Sequence, residues 1–119
     1  MAEDDGEGDK YKFITENGEE NTTSRGYTGK ALACYTTKDT YQGGFIDGIR
    51  EGMGTYMYHK GENKAYEGDW LNNMKHGIGK MRYQNAGEYN GMWENGRRHG
   101  EGIFIYNNGD QYSGWWKFG

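Results

Sequence analysis

The stretch Tyr66-Glu67-Gly68-Asp69-Trp70 decides the fold, because close variants of it occur three more times along the chain. The variants are Tyr41-Gln42-Gly43-Gly44-Phe45, Tyr89-Asn90-Gly91-Met92-Trp93 and Tyr112-Ser113-Gly114-Trp115-Trp116. The leading tyrosines are separated by 25, 23 and 23 residues. Self-similarity at such a period is typical of proteins built by repeating one small structural unit.

A second element follows each of the first three variants, and it also carries glycine and aromatic residues. These elements are Gly52-Met53-Gly54-Thr55-Tyr56-Met57-Tyr58, Gly77-Ile78-Gly79-Lys80-Met81-Arg82-Tyr83 and Gly100-Glu101-Gly102-Ile103-Phe104-Ile105-Tyr106. Both elements alternate with a period of two, which indicates β-strands with glycine and aromatic residues on one face. A ring on one strand can cover a glycine on its neighbour, so we expect the glycines to be packing positions.

The connections between these elements have the composition of tight turns. Asn107-Asn108-Gly109-Asp110 and Asn85-Ala86-Gly87-Glu88 join one repeat to the next, and Glu94–His99 is the predicted loop within the third repeat. Asn-Gly pairs supply the positive φ that hairpin turns require. Because no connection can hold a crossover helix, the sequence predicts an all-β fold, an elongated single-layer antiparallel β-meander with one hairpin per repeat.

The composition requires an aromatic core. The 119 residues include 22 glycines and no proline, and Leu, Ile, Val and Phe together number only 12. Eleven tyrosines and four tryptophans supply the apolar surface instead. No apolar run is long enough for a transmembrane helix, and none follows Met1, so we expect neither a membrane span nor a secretory signal. The lone Cys34 fits a reducing compartment.

Negative charge is concentrated at the beginning of the chain. Residues 1–20 contain eight carboxylates and two lysines, a sum of −6, whereas the formal net charge of the whole chain is −4. The rest therefore carries only +2, too little for the basic field expected of a nucleic-acid-binding protein. Residues 1–10 are predicted to be an acidic flexible tail, which either aids solubility or docks on a basic partner.

The pattern Tyr-x-Gly-x-Phe/Trp, with Gly-x-Gly about seven residues later, closely resembles the MORN (membrane occupation and recognition nexus) repeat. Residues 41–64, 65–87 and 88–110 match it, residues 111–119 match its first half, and residues 11–40 are interpreted as a degenerate first repeat with an enlarged loop. The resemblance implies an intracellular scaffold without an activity of its own. Similar repeat-only proteins occur in ciliary axonemes, including radial spoke heads, and in cortical cytoskeletons.

The aromatic face is the first candidate site. It is predicted either to be covered by its own rings or to form a groove that binds a helix or peptide of another protein. Its residues are Tyr41, Phe45, Tyr66, Trp70, Tyr89, Trp93, Tyr112 and Trp116. The aromatic strand at residues 111–119 could also pair with a further strand, so end-to-end self-association is expected as well.

Basic residues form the second candidate site. We expect Arg50, Lys75, His76, Arg97, Arg98 and His99 in hairpin loops that align along one edge of the sheet. Such a ridge could bind anionic phospholipids and make the chain a peripheral membrane adaptor, although Asp47 and Glu51 lie on the same ridge. Solvated loops are the simpler interpretation.

No residue pattern indicates catalysis or a cofactor. His76 and His99 occupy the same repeat position, but neither has a cysteine or carboxylate at the spacing of a metal site. Cys34 has no indicated base partner. The sequence therefore predicts a non-catalytic subunit of a large cytoplasmic, cytoskeletal assembly, in a cilium or flagellum by the resemblance above, with no cofactor, metal or nucleic acid.

Overall fold

The computed structural model describes residues 11–117 and shows them as one open antiparallel sheet. Its strands are β1 (Lys12–Thr15), β2 (Glu20–Asn21), β3 (Gly29–Cys34), β4 (Thr40–Ile46), β5 (Ile49–Met57), β6 (Asn63–Leu71), β7 (Met74–Tyr83), β8 (Gly87–Glu94), β9 (Arg97–Tyr106) and β10 (Gln111–Trp116). From β3 to β10 each strand pairs with the next in the chain, so the predicted β-meander is confirmed. The predicted acidic tail lies outside the described residues.

The hairpin turn within each repeat has two residues, both with positive φ. The φ values are 52° and 83° at Asp47-Gly48, 51° and 67° at Asn72-Asn73, and 52° and 82° at Asn95-Gly96. These values are typical of type I′ turns, whose twist matches that of the flanking strands. The loop predicted at Glu94–His99 is therefore wrong in length, because β8 continues to Glu94 and β9 begins at Arg97.

The aromatic side chains lie on one face of the sheet, which we call the inner face, and the opposite surface is the outer face. Tyr66, Gly68 and Trp70 are buried on the inner face, whereas Glu67 is exposed on the outer face, as the period of two predicts. The buried residues that form the core are Phe13, Ala31, Ala33, Tyr41, Phe45, Tyr66, Trp70, Met81, Tyr89, Trp93 and Phe104.

Each repeat contains a bend in its second strand at a glycine with positive φ. The residues are Gly52, Gly77 and Gly100, with φ of 82°, 64° and 80°. In β6–β7 the pairing register shifts between Gly68 and Trp70, opposite this bend. An irregularity of this kind re-aims nearby side chains. Between the bend and the hairpin turn, the last aromatic residue of the first strand pairs with a basic residue of the second strand. These pairs are Phe45 with Arg50, Trp70 with Lys75 and Trp93 with Arg98.

The first part of the sheet has a longer connection. β1 pairs with β3, and the chain between them forms β2, which pairs with β1 on its other side. Phe13 is fully buried, and its ring contacts Phe45 edge-to-face at a centroid distance of 5.0 Å. Tyr27 also contacts Phe13, at 5.2 Å, so the longer connection contributes to the same core. The interpretation of residues 11–40 as a degenerate repeat stays a prediction.

Candidate functional site

Six of the eight residues predicted for the aromatic groove are inaccessible to a partner. Their side chains are at most 5% exposed and form the core, whereas Tyr112 is 53% exposed and Trp116 is half-buried. The six are Tyr41, Phe45, Tyr66, Trp70, Tyr89 and Trp93. A partner bound at the inner face would therefore contact the side chains around and above these rings.

The rings bury one another because tyrosines and tryptophans alternate along the inner face. Tyr66 contacts Trp70 of its own strand and Trp93 of the next repeat, both edge-to-face at 5.3 Å between centroids. The indole Nε1 of Trp70 donates to the carbonyl oxygen of Gly54 at 3.2 Å, and Trp93 donates to Gly79 at 3.2 Å. Edge-to-face packing and satisfied polar atoms make this floor rigid.

Three basic side chains lie over these rings, one in each repeat: Arg50, Lys75 and Arg98. We call them the cation row. The nearest ring centroids are 4.9 Å from Arg50 Cζ (Trp70), 5.6 Å from Lys75 Nζ (Trp93) and 5.6 Å from Arg98 Cζ (Tyr89). These distances are within the range of cation–π attraction, so the rings hold the cations on the inner face.

The predicted loop placement of the six basic residues is wrong. Arg50 lies in β5, Lys75 and His76 lie in β7, and Arg97, Arg98 and His99 lie in β9. The strands begin earlier than the glycine pattern indicates, because they continue through the bends at Gly52, Gly77 and Gly100. Of the six, Arg97 is exposed and the other five are half-buried, and His99 Nε2 lies 3.2 Å from Glu94 Oε1.

Arg50 is held in place by the turn of the next repeat. Its Nε donates to Asn73 Oδ1 at 3.2 Å, its Nη2 donates to the carbonyl oxygen of Asn73 at 3.1 Å, and its Nη1 lies 3.5 Å from the Tyr35 hydroxyl. Its charge is therefore fixed at one point of the inner face. The backbone N–H of Arg50 also donates to Asn73 Oδ1 at 2.9 Å. Three hydrogen bonds from Arg50 to Asn73, 23 residues away in the sequence, thus tie one repeat to the next.

Lys75 differs from Arg50 in its surroundings. Within residues 11–117 its Nζ has no hydrogen-bond acceptor and no carboxylate partner, and it lies 5.6–6.0 Å from the ring centroids of Tyr58, Tyr66, Trp70 and Trp93. Burial lowers the pKa of the Lys75 ammonium, and the nearby positive charge of Arg50 lowers it further. The charged form of Lys75 is thus disfavoured in the free protein.

The outer face carries exposed apolar side chains that are not among the predicted site residues. Met53 and Ile78, the middle residues of two Gly-x-Gly elements, are 67% and 68% exposed, and Trp115 is 74% exposed. A side chain at Gly100 would contact both Met92 and Trp115. The period of two places Met53, Ile78, Met92 and Trp115 opposite the aromatic face, so the pattern alone could have identified them.

Neither a metal site nor a membrane-spanning helix emerges from residues 11–117. In this range no group of three or more His, Cys, Asp or Glu side chains is arranged to hold a metal ion. Over the same part of the chain no helix is long and apolar enough to cross a membrane.

Comparison with known proteins shows that the repeats match a known protein family. Residues 41–62, 66–87 and 89–111, more than half of the chain, match the family model described as MORN repeat. A MORN repeat-containing protein 3 from Xenopus laevis is 42% identical over 53 residues, which are 43% of this chain and 22% of that protein. The similarity thus spans about a fifth of the length of that relative.

Proposed function

The chain belongs to the MORN repeat family, and from this membership we propose that it is a non-catalytic scaffold subunit of an intracellular cytoskeletal assembly. Members of this family bind proteins or membranes and are generally not enzymes. The assembly we propose is a ciliary axoneme, in particular its radial spoke. The observation that carries the scaffold proposal is the inner face, where a rigid aromatic floor supports one cation in each repeat.

The inner face has the properties of a binding surface. Its floor is fixed before any partner arrives, because the rings of Tyr66, Trp70 and Trp93 are packed and hydrogen-bonded. A preorganised surface loses little conformational entropy on binding. Packed rings with a cation above them occur in each repeat, so the binding free energy of a long partner segment would increase with the number of repeats that it contacts. Acid–base catalysis instead needs different groups that converge on one point.

The proposed occupant is a helix or an extended peptide that lies across the strands. Half-buried tyrosines border the buried floor, and they offer both ring surface and hydroxyl groups to such a segment. These bordering residues are Tyr56, Tyr58 and Tyr83. Aromatic side chains of this kind are enriched at protein–protein contacts because they give large contact areas with few rotatable bonds.

Photo-crosslinking from the two faces tests the proposal. Tyr112 and Trp115 are both exposed on β10 but lie on opposite faces, so a benzophenone amino acid at position 112 samples the inner face and one at position 115 is its matched control. A second pair in β7 is Tyr83 on the inner face and Arg82 on the outer face. We expect proteins of demembranated axonemes to be cross-linked at positions 112 and 83 in clear excess over 115 and 82.

The outcomes separate the scaffold from the membrane adaptor. Cross-linking that is equal on both faces, or stronger on the outer face, contradicts an inner binding surface. Binding to vesicles of anionic phospholipid that falls steeply with salt and with Arg97→Gln would favour the adaptor instead. In the structure three of the six basic residues proposed for lipid contact, Arg50, Lys75 and Arg98, are half-buried over rings, which is why we favour the scaffold.

A further inference from the structure

We propose that the cation row selects an acidic helix, with Lys75 as the central anion-binding residue and partner carboxylates recurring every seven residues. This inference rests on the inner-face scaffold proposed above and names the chemistry of its partner. It follows from the surroundings of Lys75, from the repeat distance of the sheet and from the charges on the inner face.

Lys75 lacks an anionic partner in the part of the chain that the structure describes. Its Nζ lies over the rings of Tyr66 and Trp93, at 5.7 and 5.6 Å from their centroids, and no carboxylate or other acceptor among residues 11–117 reaches it. Partial burial of an ammonium without a counter-ion is unfavourable, as the lowered pKa of Lys75 reflects. A carboxylate of a partner would remove this penalty, because it would accept a charge-assisted hydrogen bond from Lys75 Nζ at a site partly shielded from water.

The repeat distance of the sheet favours a helix as the occupant. Paired strands lie about 4.8 Å apart, so two strands per repeat separate successive cations by roughly 10 Å. Seven residues of an α-helix rise about 10.5 Å and return to nearly the same face. An extended peptide covers that distance in about three residues, which would turn alternate carboxylates away from the sheet. A helix can therefore present one carboxylate to Arg50, Lys75 and Arg98 in turn, which a β-extended peptide cannot.

The carboxylate of Asp39 lies near the inner face and is engaged with groups of the protein itself. Asp39 accepts hydrogen bonds from the Tyr56 hydroxyl at 2.8 Å and from the backbone N–H of His59 at 2.7 Å. The cation row therefore gives the inner face a positive stripe along its centre, and an acidic segment is the complementary partner.

Selection from a library identifies the preference of this surface directly. The intact chain is immobilised, and helical peptides about three heptads long, with random residues on one face, are selected by display. We expect the bound peptides to be enriched in Asp or Glu at seven-residue spacing. Binding of those peptides should weaken about tenfold with Lys75→Met, which keeps the apolar stem over the rings but removes the charge.

Lys80→Met is the matched control, because Lys80 lies in the same strand on the outer face and pairs with Glu67. It should leave peptide affinity unchanged. Selected peptides that are neutral or basic at that spacing, or that bind Lys75→Met as tightly as the wild type, overturn the inference but leave the scaffold intact if they cross-link at position 112. If no helical peptide is selected at all, the inference fails, whereas the scaffold fails only if cross-linking at positions 112 and 83 does not exceed that at 115 and 82.

Two other occupants of the cation row would contradict the proposal of a helix from a partner protein. If changing Glu3, Asp4, Asp5, Glu7 and Asp9 to their amides raises peptide affinity about tenfold or more, the acidic segment of this chain is the occupant of the row. If the chain is a dimer that Lys75→Met dissociates, as measured by sedimentation, the occupant is a second copy. A monomer whose peptide affinity is unaffected by the amide changes supports the partner helix.

Discussion

The ring of Tyr66 in β6 lies over Gly79 in β7 and occupies the space that a side chain at position 79 would need. The Tyr66 hydroxyl donates to the carbonyl oxygen of Asp69 at 2.9 Å, which holds the ring flat against the sheet. The relationship is repeated where Tyr41 lies over Gly54 and Tyr89 lies over Gly102. Glycine in this strand is thus required by the packing of a ring on its neighbour.

Gly79→Ala should lower the free energy of unfolding by about 3 kcal/mol, because the new methyl group forces the Tyr66 ring out of its buried position. Urea denaturation measures the change. Gly52→Ala is the control: position 52 has φ of 82° but open space, so only the cost of a left-handed backbone for alanine, about 1 to 2 kcal/mol, is expected. Equal losses in the two variants would contradict the role of the ring.

Trp93→Phe should cost about 2 kcal/mol, since it removes a buried ring edge and leaves the carbonyl oxygen of Gly79 without its 3.2 Å donor. Trp115→Phe, on the exposed outer face, should change stability by less than about 0.5 kcal/mol. Both values come from thermal or urea unfolding followed by circular dichroism. A comparable loss at position 115 would mean that the outer face is also packed.

The sequence predicts the strands and the two faces well because both depend on local periodicity. Tyr66, Gly68 and Trp70 share a face as a direct result of the pleat, and Asn95-Gly96 specifies its turn through backbone preferences alone. Neither inference requires knowledge of distant contacts.

The burial of the rings and the position of Lys75 could not be predicted in the same way. Whether Trp70 is exposed depends on rings contributed by the neighbouring repeats and on the curvature of the sheet, which are non-local. The glycine pattern predicts a loop at Lys75 because Gly77 resembles the beginning of the strand, whereas β7 begins at Met74 and bends at Gly77. The constant offset of five residues from Trp70 to Lys75 and from Trp93 to Arg98 was the available signal.

Asn73→Gly tests how strongly one repeat is tied to the next. The substitution suits the φ of 67° at this turn position, but it removes the Oδ1 atom that accepts from Arg50 N at 2.9 Å and from Arg50 Nε at 3.2 Å. We expect a loss of about 1 to 2 kcal/mol in urea unfolding. Asn72→Gly changes the same turn without removing that oxygen, and it should be close to neutral. If both variants behave alike, the Arg50–Asn73 contact contributes nothing to stability.

The aromatic core should make the fold sensitive to alkali. Burial raises the pKa of Tyr41 and that of Tyr58 to about 12, from an ordinary value of 10.0, and also raises the pKa of Tyr56 and Tyr66. The folded state keeps these phenols neutral, whereas in the unfolded chain they ionise near pH 10. Their contribution to the free energy of unfolding is therefore complete below pH 10 and is lost as pH rises toward 12.

Urea denaturation at a series of pH values should therefore give a flat free energy of unfolding up to about pH 10 and a steep fall above it. Phenolate absorbance should rise together with the loss of the circular dichroism signal, because buried tyrosines ionise only on unfolding. Tyr58→Phe keeps the ring but removes one titrating group, so its free energy of unfolding should fall less steeply above pH 10. Phenolate formation that is complete while the sheet remains folded would show that water reaches the inner face, and it would contradict the buried floor on which the cation row lies.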